Sequence, residues 1–274
     1  MLRTHIFDEA SIVKFCEATS DTNIIHDPAY MKAIGKEVVV PGMLILSSAI
    51  GMAQKLLDMG ADTFHLNFHS IISANERIKI GYQIIREHPL LAEITARNSV
   101  DALSLKGEPS MVFQRSEIPG EAPEGIPRIL PVNPESVRDF SMVTGLEKHP
   151  LGGILFAIAY ASQALIRAIL EPVSEVEKEI HRLLDKTINP DQVSPFYQSL
   201  RIWLLHPMAV LLDNEPLNYH IQFQTEKPRK MYSALVDCYQ KNTRLYFSRY
   251  QLIAIPDRLI IRMAKDLDGS DKTT

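Results

Sequence analysis

Two stretches of this chain are apolar on almost every side of a helix, and they limit its possible folds more than any other feature. The first opens at Pro41-Gly42, runs to about residue 58 and is closed by Gly60. The second, residues 154–170, opens in the same way after Gly152-Gly153. A helix that is apolar nearly all round is buried inside the fold, so each stretch predicts a core helix.

Segments with the pattern of strands follow each apolar helix. Phe64, Leu66 and Phe68 alternate with polar residues, the period of two that is typical of a half-buried strand. One long helix buried against a strongly curved antiparallel sheet is the arrangement that this order predicts. The other candidate strands are residues 76–86, 91–105 and 109–115 in the first half, and 196–205, 217–224, 231–239 and 243–255 in the second.

The second half of the chain repeats the first. Residues 137–144 match residues 12–19 at an offset of 125, with Phe140 in the place of Phe15. An ordered repeat predicts two copies of one structural unit, and the segment between them is rich in Pro, Gly and Glu, as linkers are. We therefore predict an α+β protein of two curved sheets side by side, with an N-terminal domain 1–118, a linker 119–131 and a C-terminal domain 132–274, in which a polar helix near 173–186 is inserted.

Composition excludes several classes of protein. Of 274 residues 46% are hydrophobic and 23% charged, and the net charge of −4 offers no basic surface for nucleic acid. Cys16 and Cys238 have neither a disulfide-framework nor a zinc-site spacing. The first residues lack the apolar core of a signal peptide, and the apolar stretch 38–53 is too interrupted for a membrane span. We therefore expect a cytoplasmic protein with no metal site.

One loop is present in the first copy and missing from the second. Gly42 follows Thr19 by 23 positions, whereas Gly153 follows Thr144 by only 9. The additional residues include Asp21 and His26. Since the second copy is expected to fold without this loop, folding does not require it, and we interpret the loop as functional.

The residue types in this loop suit proton transfer. A carboxylate and an imidazole five residues apart in a bent loop can converge on one water and supply a proton donor and acceptor near neutral pH. Gly42, at a helix start after Pro41, has a free backbone N–H at the positive end of the helix dipole. Such a donor can polarise a carbonyl and stabilise an enolate-like oxygen.

The same residues carry a resemblance to a known family. Phe15 to His26 reads Phe-x3-Thr-Ser-Asp-Thr-Asn-x2-His, and Val-Val-Pro-Gly-Met-Leu follows at residues 39–44. Over residues 15–48 the chain resembles the MaoC-like, (R)-specific enoyl-CoA hydratase family. The resemblance implies the double hotdog form of the hotdog fold, with one working and one degenerate half. It implies a catalytic pair, Asp21 and His26, thioester-binding residues, Gly42 and Met43, and supporting residues, Asn23 and Ser47.

Three positions depart from the family pattern. Ile24 stands where the family usually has Pro, Pro41 where it usually has His, and Ile50 where a serine is often found. These departures leave Asp21 and His26 in place.

The expected function is that of a lyase, a hydratase or dehydratase acting across the 2,3 double bond of an enoyl thioester. No metal or redox cofactor is implied, because CoA or phosphopantetheine arrives as part of the substrate. The expected partner is an acyl thioester, with an acyl carrier protein as a second candidate, and the expected assembly is a monomer or a homodimer. Two alternatives remain: a hotdog thioesterase, for which a carboxylate on the buried helix is expected, and a non-catalytic subunit that binds acyl thioesters or stabilises a partner.

Overall fold

The computed structural model describes residues 2–110, 127–185, 193–226, 231–256 and 261–267. The helices are α1 Glu9–Thr19, α2 Pro28–Ala33, α3 Gly42–Met52, α4 Gln54–Asp58, α5 Pro134–Thr144, α6 Leu151–Leu170 and α7 Glu175–Asp185, with a 3-10 turn at Ile24–His26. The strands are β1 Leu2–Ile6, β2 Thr63–Phe68, β3 Arg77–Arg86, β4 Leu91–Arg97, β5 Leu103–Ser110, β6 Arg128–Leu130, β7 Val193–Leu204, β8 Leu217–Glu226, β9 Met231–Gln240 and β10 Thr243–Pro256.

The strands form one antiparallel sheet of ten in the order β1-β3-β4-β5-β2-β7-β10-β9-β8-β6. Read from its outer edge, each half has the same order: first, third, fourth, fifth and second strand. The halves join where β2 pairs with β7, with Leu66 opposite Leu200. The two sheets predicted side by side are therefore continuous, and the repeat in the sequence is a repeat of topology.

The repeat is also visible in the caps of α1 and α5. Asp8 caps α1 and Asn133 caps α5, each accepting a hydrogen bond from a backbone amide of the first turn. Thr19 and Thr144 each donate a 2.8 Å hydrogen bond to the carbonyl four residues earlier. Each helix then ends in a left-handed residue, Ser20 or Gly145. All three pairs are 125 positions apart, which confirms the predicted repeat.

Equivalent residues of the two halves meet each other. The rings of Phe15 and Phe140 pack with centroids 5.6 Å apart, and Lys14 Nζ lies 3.1 Å from Asp139 Oδ1. Contacts between corresponding positions are the mark of an approximate two-fold axis, here within one chain. The axis passes between α1 and α5.

The apolar helices lie in the core, as predicted. Eight of the eleven residues of α3 are buried. Helix α6 is long and apolar enough to cross a membrane, but 67% of its apolar window is buried inside the fold. Three buried tyrosines, Tyr219, Tyr246 and Tyr250, donate hydrogen bonds of 2.8–3.3 Å to the carbonyls of Ala157 and Ile158 in the middle of α6. Burial raises the pKa of all three phenols, so they stay protonated as donors.

Some predicted elements have different bounds. The helix predicted to run from Gly42 to residue 58 breaks at Ala53 into α3 and α4. The strand predicted at 91–105 is two strands, because Asn98 builds a turn: its side chain accepts from the amides of Val100 and Ala102, and Asp101 has a positive φ of 61°. Sequence reasoning missed β1 and α2.

The domain boundaries stay a prediction, with one change near the linker. Residues 111–126 lie outside the described residues, but Arg128–Leu130, which fall within the predicted linker 119–131, form β6 and pair with β8. The second half of the sheet therefore begins a few residues earlier than residue 132.

Candidate active site

The loop after α1 is shaped by short side-chain-to-backbone hydrogen bonds. The Asp21 amide donates to the Cys16 carbonyl at 2.8 Å, which closes the end of α1. Asp21 Oδ1 accepts from the Asn23 amide at 3.1 Å, and Asn23 Oδ1 accepts from the Ile25 amide at 3.2 Å. Asp and Asn favour such local turns because their short side chains reach the backbone two residues on. Asn23 thus starts the 3-10 turn that carries His26.

Asp21 and His26 face each other at the end of this loop. His26 Nε2 lies 3.9 Å from Asp21 Oδ2. His26 Nδ1 lies 2.6 Å from the Val39 carbonyl oxygen. Because a carbonyl can only accept, Nδ1 carries the proton in the neutral imidazole, which leaves the Nε2 lone pair directed towards the carboxylate. The ring is therefore oriented as a base.

The gap between the two groups fits one oxygen atom. A separation of 3.9 Å is too long for a direct hydrogen bond. An oxygen placed about 2.8 Å from both Nε2 and Oδ2 would accommodate this separation with ordinary hydrogen-bond lengths. The pair can thus hold and orient a single water or hydroxyl group between them.

The side chains of Asp21 and His26 are mostly buried, but both keep some exposure to solvent. The His26 side chain is 9% exposed and that of Asp21 17%. Cys16 lies on the preceding turn, and burial, together with the negative charge of Asp21, raises the pKa of its thiol. The thiol therefore stays protonated near neutral pH, and Cys16 is no nucleophile for this site.

Helix α3 begins three positions after Val39, whose carbonyl is the partner of His26 Nδ1. Its first residues are Gly42 and Met43, and the N-cap residue Pro41 has no side chain that can cap them. The Pro41 carbonyl accepts from Leu44 and Ile45, further into the helix. Only two residues, Val40 and Pro41, separate Gly42 from Val39, so the backbones of Gly42 and Val39 are within about 11 Å of each other.

The Phe68 ring packs closely over Gly42. A Cβ at this position would lie 3.2 Å from Cε1 of Phe68, at the end of β2, so a side chain there would require the ring to shift by a few tenths of an ångström. The Val39 carbonyl is a site component that sequence reasoning missed, and so is the contact of Phe68 with Gly42. Phe68 was read only as a strand residue, and a backbone carbonyl has no signal in the sequence.

Met43 and Ser47 lie in the core along α3. Met43 is 6% exposed and Ser47 is fully buried. Within the part of the chain that the structure describes, no hydrogen-bond partner is found for Ser47 Oγ, and none joins it to Asp21 or His26. The structure therefore brings Asp21, Asn23 and His26 together, places Gly42 and Met43 in the first turn of α3, and shows no hydrogen bond for Ser47 Oγ among the described residues.

The loop that carries Asp21 and His26 has no counterpart between α5 and α6, a segment that the structure describes in full. Only residues 145–150 separate α5 from α6, against 20–41 between α1 and α3. At the start of α6, His149 Nδ1 accepts a 3.1 Å hydrogen bond from the Leu151 amide and so acts as a cap. A Cβ on Gly153 would lie 3.0 Å from Cγ of Leu211, which covers the helix start. Structural roles for His149 and for the whole segment follow from these contacts.

A groove lies elsewhere in the first half. Its volume is about 520 Å³, and it is lined by residues of β1, β3, β4 and α4, among them Leu2, Tyr82, Glu93 and Lys55. Asp21, His26 and Gly42 do not line it. This groove is therefore separate from the candidate site.

Comparison with known proteins shows similarity of structure only. No family model matches the chain, and no curated protein sequence matches it. A solved MaoC-like dehydratase aligns over 92% of this chain and 96% of its own, with a TM-score of 0.56 and 9% identity. A conserved hypothetical protein of Mycobacterium tuberculosis, described as a double hotdog, aligns over 93% and 96%, with a TM-score of 0.55 and 10% identity.

A third solved structure is much longer than this chain. The peroxisomal multifunctional enzyme type 2 of Drosophila melanogaster matches 92% of this chain but only 48% of its own, with a TM-score of 0.55 and 7% identity. Together with the duplicated five-strand order, the buried core helix of each half and the joined sheet, these matches establish the fold. The chain has the double hotdog fold.

Proposed function

We propose that this protein is a lyase that adds water to, or removes it from, the 2,3 double bond of an enoyl thioester. The observation that carries the proposal is the Asp21–His26 pair, whose Nε2 and Oδ2 are 3.9 Å apart with the Nε2 lone pair available. The resemblance of residues 15–48 to MaoC-like hydratases supports the substrate class. The thioester carrier, CoA or phosphopantetheine, is part of the substrate, and the reaction needs no metal or redox cofactor.

In the hydration direction, water lies between His26 Nε2 and Asp21. His26 accepts a proton from the water as its oxygen bonds to C3 of the enoyl group. The electron pair of the C2–C3 double bond moves towards the thioester carbonyl, whose oxygen accepts hydrogen bonds from the amides at the start of α3, Gly42 and Met43. C2 then takes a proton from Asp21 in its acid form. Transfer of the proton from His26 back to Asp21 resets the pair.

The sequence of α3 argues against the thioesterase alternative. A hotdog thioesterase is expected to have a carboxylate on its buried helix, and residues 42–52 contain none. The non-catalytic alternative has no use for an imidazole whose tautomer is fixed by the Val39 carbonyl. We therefore rank hydration above both alternatives.

The test is the loss of the conjugated-enoyl absorbance when the protein is mixed with enoyl-CoA substrates of different chain lengths. Asp21→Asn and His26→Ala should each lower kcat about 10²–10⁴-fold, the usual contribution of a general acid or base. Exposed residues of the same types serve as matched controls, so Asp213→Asn and His69→Ala should retain full activity.

Each other outcome points to a different function. Release of free thiol without loss of the double bond would show a thioesterase. Equal activity of the wild type and both site variants, or no activity of the wild type with any chain length, would overturn the proposal.

A further inference from the structure

The last described segment of the chain lies across the half that contains the candidate site. We name residues 261–267 the C-terminal strap. Its Lys265 carbonyl accepts from the Glu37 amide at 2.9 Å, and its Leu267 amide donates to the Gly35 carbonyl at 3.1 Å. Lys36 and Asp266 pair as an antiparallel bridge. The strap thus pairs with the chain between α2 and α3.

The Lys36 side chain ties the same two segments together. Its Nζ lies 2.8 Å from Asp266 Oδ1 and donates to the Ala264 carbonyl at 3.0 Å. The Lys36 side chain is only 18% exposed, so this ion pair is partly desolvated. Ala264 is buried, and Ile261 packs against the core. The strap is therefore docked by polar and apolar contacts.

The segment that the strap holds leads directly to the site. Val39 follows Lys36 by three residues, and its carbonyl is the partner of His26 Nδ1. Two further contacts fix the residues on either side: the Val38 carbonyl accepts from Ala74 at 2.7 Å, and the Val40 amide donates to Ile72 at 2.8 Å. The Val39 amide itself donates to the Ile25 carbonyl at 3.0 Å. At the start of the segment the strap supplies one of two anchors, the other being the hydrogen bond of 2.9 Å from the Lys36 amide to the Met31 carbonyl.

A second contact from the strap reaches the other side of the segment. Lys265 Nζ lies 3.1 Å from Oε1 of Glu76, whose side chain is only 5% exposed. Glu76 Oε2 accepts from the Ser73 amide, and Ser73 pairs with Val39. Because a buried carboxylate needs a countercharge, Lys265 stabilises the residue that holds Ser73 in place. The strap therefore supports Val39 from both sides.

We infer that the C-terminal strap positions the imidazole of the candidate active site, with Lys36 and Asp266 as positioning residues that act through the Val39 carbonyl on His26. The expected effect on kcat rests on the proposed function, whereas the expected effect on the His26–Val39 hydrogen bond does not. It gives the C-terminal part of the chain a role in a site that lies wholly in the N-terminal half. Displacement of a catalytic group by about 1 Å is enough to lower a rate strongly.

The experiment uses the full chain and four variants. Lys36→Met and Asp266→Asn remove the ion pair, Lys36→Arg is the conservative variant, and Lys32→Met is the matched control. Lys32 Nζ lies 2.7 Å from Glu9 Oε2, an ion pair of the same half that includes neither a strap residue nor Val39. Two readouts are recorded: the NMR signal of the His26 Nδ1 proton, and kcat and KM for enoyl-CoA hydration.

We expect Lys36→Met and Asp266→Asn to shift and broaden the His26 Nδ1 proton signal, because its hydrogen bond to Val39 loosens. Both should lower kcat about tenfold with KM within twofold. Lys36→Arg keeps the positive charge and should retain the wild-type His26 signal and kcat. Lys32→Met should also match the wild type in both readouts. If one of the two strap variants does not fold, the other carries the test.

A purely structural strap would give a different result. A lower melting temperature with an unchanged His26 signal and an unchanged kcat would overturn the inference. If the wild type lacks hydratase activity but the strap variants still shift the His26 signal, the positioning role stands and only the proposed function fails.

Discussion

At the scale of single residues, the ion pair of Asp237 and Arg244 places a fully buried carboxylate outside the candidate site. Asp237 is fully buried on β9, and Arg244 on β10 binds both carboxylate oxygens, with Nη2 2.8 Å from Oδ2. Burial raises the pKa of Asp237, and the Arg244 guanidinium opposes this change. The Arg244 guanidinium therefore favours the ionised form of the buried Asp237 carboxylate.

Arg244→Met should destabilise the protein by about 3–5 kcal/mol at neutral pH, because it leaves a buried carboxylate without its cation. The pKa of Asp237 in the folded state should then rise further above its unfolded value. A raised pKa means that the folded state binds the proton more tightly, so the stability of the variant should increase as the pH falls and decrease as the pH rises through that pKa. Urea unfolding between pH 5 and 8 measures this.

The double variant Asp237→Asn/Arg244→Met is the control for that experiment. It removes the buried charge, so it should recover part of the lost stability and show a flatter pH dependence than Arg244→Met. A loss of the same size at every pH in Arg244→Met would show that Asp237 is not the group responsible.

At the scale of elements, the equivalent helices α1 and α5 end in the same backbone conformation but with different residues. The C-terminal caps of α1 and α5 are both left-handed, with φ of 54° at Ser20 and 72° at Gly145. A non-glycine residue is strained in this region, whereas glycine adopts it freely. The first half thus carries strain at the residue before Asp21 that the second half lacks.

Ser20→Gly should therefore stabilise the protein by about 0.5–1 kcal/mol, and Gly145→Ser should destabilise it by a similar amount. Chemical denaturation measures both. Gly145 has open space around an added Cβ, so the cost at that position is conformational and not steric. Ser20→Gly with no gain in stability would mean that the Ser20 side chain contributes more than its backbone strain costs.

The elements that sequence predicts well are those whose signal is local. The match of residues 137–144 to residues 12–19 spans eight consecutive positions in each half, and it predicted the repeat that the structure shows as α1 and α5. The uniform apolarity of α3 and α6 predicted their burial. Strand β1 was missed because its residues are mostly exposed at the sheet edge and show no alternation. The join of β2 to β7 depends on packing between segments far apart.

The candidate site divides in the same way. Asp21, His26 and Gly42 were found because side-chain chemistry and a missing loop in the second copy mark them. Val39 was not, because any residue has a carbonyl, and its position depends on contacts with Ile72, Ala74 and the strap. Orientation of the imidazole is thus a tertiary property that no local pattern encodes.

At the scale of the whole molecule, the two halves share one sheet and one helix interface. β2 and β7 pair over five residues, and α1 packs against α5 through Phe15 and Phe140. Each of the two side chains is at most 1% exposed to solvent. Separation of the halves would expose a sheet edge and both rings to water. We therefore expect the halves to unfold together, in one cooperative transition.

A double-mutant cycle on Phe15 and Phe140 tests this coupling. Phe15→Leu and Phe140→Leu should each destabilise the protein, and the cycle should give an interaction energy of about 0.5–1.5 kcal/mol, the usual value for an aromatic pair in contact. Phe15→Leu combined with Phe247→Leu is the control, since the Phe247 ring packs against Trp203 instead, and that pair should be additive within about 0.5 kcal/mol. An interaction energy near zero would mean that the Phe15–Phe140 contact does not couple the halves, and an unfolding curve with two steps would mean that each half is stable on its own.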